Sequence, residues 1–109
     1  MDDLLKPLIA GLHEHHPQAD VAEVERAFNV ARTAHIGQTR KSGEDYITHP
    51  VAVTQILAEL GLNEITLIAS LLHDTVEDTP YSLTQLRADF GDEIANLVDG
   101  VTKLDKLTY

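Results

Sequence analysis

Six consecutive residues, His73-Asp74-Thr75-Val76-Glu77-Asp78, carry one imidazole and three carboxylates. On a helix, Asp74, Glu77 and Asp78 share one face at spacings of three and four, and His73 stands four residues before Glu77. Three carboxylates this close repel one another unless a proton or a cation is shared among them. A divalent metal relieves the repulsion, because neutral imidazole and carboxylate oxygen are suitable ligands for Mn, Fe, Zn or Mg ions. A solvated acidic helix end with a capping aspartate accounts for the same residues equally well, and the cluster alone does not separate the two. The chain has no cysteine, so a metal must be held by nitrogen and oxygen, and no disulfide or cysteine nucleophile enters.

His49 precedes Pro50, which predicts a helix start with His49 in extended backbone, its ring direction fixed. That placement suits a metal ligand, although by itself it reads more readily as an ordinary N-terminal cap. His35, at the end of a predicted helix, reads as packing or capping. His13, His15 and His16 form a surface-like stretch. Arg40-Lys41-Ser42 holds the one adjacent basic pair of the chain, on the loop leading into His49. Beside a metal it suits an anionic substrate such as a phosphate ester, with the guanidinium able to stack on a base. Without a metal it is a solvated loop.

The elements that must position these groups are helical, since apolar residues recur at helical rather than alternating spacing. Leu4, Leu5, Leu8, Ile9 and Leu12 predict a short helix ending near His16-Pro17. Asp20 with Glu23 resembles a capping box for a helix over 21–35, with Val21, Val24, Phe28 and Ala31 on one face. Residues 36–48 have no apolar stripe and predict a long loop. Pro50 then opens a helix whose buried stripe is Val53, Ile56, Leu57 and Leu60, closed by Gly61. The helix from Ile65 is apolar nearly all round, which predicts a central position, and its polar residues come at its end. Ser82 with Gln85 predicts a short helix closing at Phe90-Gly91, and Ile94, Leu97, Val98 and Val101 a last one that Gly100 weakens.

A chain of 109 residues allows one core. Eighteen acidic against eight basic residues give a net charge of −10, which repels polyanions and argues against nucleic acid or an anionic membrane surface as partner. The hydrophobic content of 43% is that of a folded domain. The most apolar segment, around Leu67 to Leu72, is far shorter than the ~20 residues a membrane span needs, and no export signal opens the chain. A soluble cytoplasmic protein is the expectation.

Three stretches together resemble the N-terminal hydrolase domain of the RelA/SpoT family. They are Ala34-His35-Ile36-Gly37-Gln38-Thr39-Arg40-Lys41-Ser42-Gly43-Glu44-Asp45-Tyr46-Ile47-Thr48-His49-Pro50, then Leu71-Leu72-His73-Asp74-Thr75-Val76-Glu77-Asp78-Thr79, then Phe90-Gly91 with Val98-Asp99-Gly100-Val101-Thr102-Lys103-Leu104. The motifs occur in the family's order and spacing, from about residue 24 onward. The resemblance implies an all-α HD-domain fold, here lacking its C-terminal helices, in a single hydrolase domain that is a fragment of a longer one. It also implies a manganese-dependent hydrolase that removes the 3′-pyrophosphate from guanosine tetra- and pentaphosphate, the stringent-response nucleotides (p)ppGpp, leaving GDP or GTP. Carried over, His49, His73 and Asp74 are metal ligands, and Glu77 with Asp78 positions or deprotonates the attacking water. Arg40, Lys41 and Ser42 hold the guanine end.

Asp45 departs from the proline usual in the family, away from the chemistry. The family's remaining aspartate ligand, and an asparagine that helps to bind substrate, belong to a later helix beyond Lys103-Leu104. The alternative is therefore a catalytically incomplete module that binds a nucleotide or a partner. Apolar surface left uncovered favours self-association into a dimer or larger assembly.

Overall fold

The most apolar stretch forms the centre of the molecule. The structure, a computed structural model, describes residues 3–39 and 43–107, with side chains to Lys103. Among the described residues the fold is all-α: α1 (Lys6–His15), α2 (Val21–Ala34), α3 (Thr48–Glu59), α4 (Glu64–Asp78), α5 (Leu83–Phe90) and α6 (Asp92–Leu107). Asn63 starts α4 by accepting from the Thr66 amide at 3.1 Å. Leu67, Ile68, Leu71 and Leu72 are then buried against α2, α3 and α6. Each such side chain, removed from water on every side of the helix, contributes about 1.5–3 kcal/mol of transfer free energy.

The two predicted capping boxes are each half made. Asp20 caps α2 through the Ala22 amide at 3.0 Å, but Glu23 turns away to pair with Arg26 at 2.9 Å. Ser82 caps α5 through the Gln85 amide at 3.0 Å, while the Gln85 side chain donates to Asp89. In both, the third residue's side chain is drawn to a charged partner on the next turn. The last helix runs through Gly100 as far as Leu107.

Two expectations for α3 are corrected. The helix begins at Thr48, so His49 is helical rather than extended and Pro50 is its third residue. The turn Asp45-Tyr46-Ile47 nucleates it: the Thr48 and His49 amides donate to the Asp45 and Tyr46 carbonyls at 3.1 Å. Pro50 falls in the first turn, where a missing N–H costs nothing. The buried stripe is Val51, Thr54 and Ala58, whereas Val53, Ile56 and Leu60 are 41%, 58% and 72% exposed. The cause is the crossing with α1. Gly11 comes so near that a Cβ on it would lie 3.3 Å from that of Ala58, so the small residues of α3 must face inward and the large ones turn out. Thr54 is accommodated in the core by a 2.7 Å hydrogen bond between its hydroxyl and that of Ser70 on α4.

Gly61 ends α3 as expected, at φ +93°. The Leu62 amide donates to the Leu57 carbonyl and the Gly61 amide to that of Ala58, a Schellman closure. His15 and His16 fasten the end of α1 to this turn, with Nε2 of each on the carbonyls of Glu59 and Gly61 at 3.1 and 2.7 Å.

Candidate metal centre

The predicted cluster rides the last turns of α4, directly after the buried leucines. Ligand atoms of His73, Asp74 and Glu77 all lie within 4.8 Å of one another. His73 Nδ1 is 3.4 Å from Asp74 Oδ1, and its Nε2, shielded from solvent, is 3.7 Å from Glu77 Oε2. The first turn of α3 brings His49 to the edge of the group, its Nε2 4.0 Å from Asp74 Oδ2. The His73 hydrogen bond holds the Asp74 carboxyl below the usual carboxylate range, aided by the charges of His73, His49 and His35 and opposed by burial. An aspartate kept ionised among imidazoles is a ready cation ligand. The donor set fits a divalent ion that takes nitrogen and oxygen.

Asp74, Glu77 and Asp78 all lie on α4 as expected, but only the first two join the ligand group. Asp78 lies outside this group and accepts from the Tyr46 hydroxyl at 2.8 Å. The side-chain amide of Gln38 donates to the Asp78 carbonyl at 3.3 Å. That donation orients the amide so that its Oε1 faces Nδ1 of His35 at 3.2 Å. His35 is buried, stacks on the Tyr46 ring at 4.4 Å between centroids, and has Nε2 3.4 Å from the Thr75 hydroxyl. A carbonyl oxygen only accepts, so Nδ1 carries a proton. The expectation that His35 packs and caps is met: it is the C-cap of α2.

The loop between α2 and α3 is thus tied to the end of α4 from Gln38 and Tyr46, and Thr39 pairs with Asp45 across its base. Arg40, Lys41 and Ser42, the expected substrate-binding residues, lie outside the described residues. Tyr46 and Gln38 were given no role from sequence. Their partners on α4 are 32 and 40 positions away, and no local spacing marks them.

A cleft of about 410 Å³ opens between α3, α4 and α6, with His49, His73 and Asp74 at one end. Its walls are apolar, formed in part by Val53 and Leu57 of α3 and Leu97 and Val101 of α6. Of the apolar stripe expected in the core, Val53 is thus cleft wall, while Leu57 both lines the cleft and packs against the core. Apolar walls strengthen charge interactions beside the imidazoles and the carboxylate.

The family model for the HD domain matches residues 27–109. The chain belongs to the HD-domain family. This HD domain is 57% identical over 104 residues to a probable GTP pyrophosphokinase of Mycobacterium leprae, covering 95% of the chain and 13% of the relative. It is 54% identical over 93 residues to the bifunctional (p)ppGpp synthase/hydrolase SpoT of Escherichia coli K12, covering 85% of the chain and 13% of the relative. It is also 58% identical over 80 residues to the guanosine-3′,5′-bis(diphosphate) 3′-pyrophosphohydrolase of Haemophilus influenzae, covering 73% and 12%. The resemblance to RelA/SpoT proteins is thereby shown, and the HD domain spans about an eighth of the length of these relatives. No helix among its described residues is long and apolar enough to cross a membrane.

Proposed function

We propose that this HD domain is a metal-dependent phosphohydrolase that removes the 3′-pyrophosphate from (p)ppGpp, with manganese as the metal. The observation that carries the reading is the convergence of His49 from α3 with His73 and Asp74 from α4 in an apolar-walled cleft. Those three residues hold the ion. Bound there, manganese supplies a more acidic water and neutralises charge developing on the phosphate. Glu77 and Asp78 orient the attacking water and accept its proton. Arg40, Lys41 and Ser42 grip the nucleotide's guanine end. Relatives of the matching region bear hydrolase names, which supports the substrate class.

The test is pyrophosphate release from guanosine tetraphosphate with manganese, against a chelator control. Release that stops on chelation is the expected result; no release with manganese present overturns the reading. A second reading, a nucleotide-binding regulatory module without turnover, is favoured by the pyrophosphokinase names of other relatives at 57% and 55% identity. It predicts nucleotide binding without pyrophosphate release.

A further inference from the structure

Tyr46 ties several parts of the site together from one residue. Its carbonyl accepts the His49 amide at 3.1 Å and so helps to set the first turn of α3, from which the His49 ring projects. Its ring lies flat on buried His35, 4.4 Å between centroids and 20° from parallel. Its hydroxyl donates to the Asp78 carboxylate at 2.8 Å. The ring has little freedom, because His35 is itself held by Gln38 on one nitrogen and Thr75 on the other. The hydroxyl is therefore a fixed donor, and the carboxylate it holds is the one among Asp74, Glu77 and Asp78 that stands apart from the ligand cluster.

We propose that Tyr46 is a positioning residue that acts through Asp78, fixing that carboxylate apart from the metal ligands so that it serves the attacking water. The inference rests on the hydrolase reading for the role of Asp78, but not for the existence of the clamp. Tyr46→Phe is the discriminating variant, since it keeps the ring on His35 and the backbone turn and removes the hydroxyl that donates to Asp78. A carboxylate released from a fixed donor samples several rotamers and is less often in the productive one, which lowers turnover more than binding.

The experiment is a double-mutant cycle on the chain, with Tyr46→Phe, Asp78→Asn and the pair, reading manganese affinity, KM and kcat for guanosine tetraphosphate. Tyr46→Phe is expected to lower kcat about tenfold while KM and manganese affinity stay within about twofold, and to have no further effect once Asp78 is Asn. Additive losses in the double variant, or a loss of manganese affinity matching the loss of kcat, overturn the proposal. If the parent chain releases no pyrophosphate, the hydrolase reading fails separately. The clamp is then decided by carbon-13 NMR of the side-chain carboxyls. Tyr46→Phe must move the Asp78 signal and leave that of Asp74 in place, and an unmoved Asp78 signal overturns it.

Discussion

Tyr46 and Tyr81 each donate a hydroxyl hydrogen to an aspartate, at 2.8 Å to Asp78 and 2.7 Å to Asp89. The bonds are alike and their surroundings are not. Asp78 follows the metal-ligand cluster on α4, and Tyr46 precedes His49. Asp89 belongs to α5, where Gln85 also donates to it, and its carbonyl accepts from Arg26 of α2. Arg26 in turn pairs with Glu23 and lies over the Phe90 ring, 4.2 Å from its centroid. That second network is a brace between α2 and α5, with no member in the metal cluster. A tyrosine–carboxylate bond thus has no functional meaning of its own; what the carboxylate stands beside decides it.

The largest effect that would sharpen the contrast is on metal affinity. Asp74→Ala removes the carboxylate nearest both His73 and His49, and is expected to weaken manganese binding by about 100-fold, roughly 2.7 kcal/mol. Asp89→Ala should leave it within about twofold. Isothermal titration of both variants checks this, and equal losses would erase the distinction between the regions.

The brace should instead register in stability. Arg26→Ala loses a cation–π contact, an exposed ion pair and a hydrogen bond to the Asp89 carbonyl. With the pair nearly half exposed and discounted accordingly, the loss is about 1 kcal/mol. Urea unfolding of the metal-free chain measures it, alongside unchanged manganese affinity. A fall in affinity would mean that the brace reaches the site.

What the sequence discloses of these regions follows the range of the interactions. The helices were legible because their signals are local: the apolar run of α4, the Asp and Ser caps, and Gly61 and Gly91 at positive φ. The ligand cluster was legible because three of its members sit within one turn and a half of a single helix. The buried face of α3 was not, since periodicity locates the largest apolar residues and cannot know that Gly11 admits only small ones opposite it. Cleft wall and core have the same composition, which is why Val53 read as core. The separation of Asp78 from Glu77 was invisible for the same reason as the Tyr81 bond, being set by a hydroxyl brought in by the tertiary fold.

The smallest effect concerns how the brace titrates. The Tyr81 and Gln85 hydrogen bonds and the Arg26 charge hold the Asp89 carboxyl below the usual carboxylate range. Burial and the bond to Asp89 push the Tyr81 phenol well above its ordinary value. Asp89 titrates lower in the folded chain than in the unfolded one, so its stabilisation is present above the unfolded value near pH ~4 and is lost as pH falls through the folded one. Tyr81 titrates higher in the folded chain, so its contribution is present below the unfolded value near pH ~10 and is lost as pH rises beyond it. Tyr81→Phe removes the phenol's dependence and the largest cause of the carboxylate's. The stability difference between parent and variant is expected to be greatest across the neutral range and to shrink at both extremes, as followed by urea midpoints from acid to alkaline pH. A difference independent of pH would mean that Tyr81 stabilises only by packing, and that the likeness between the two tyrosine clamps is one of distance alone.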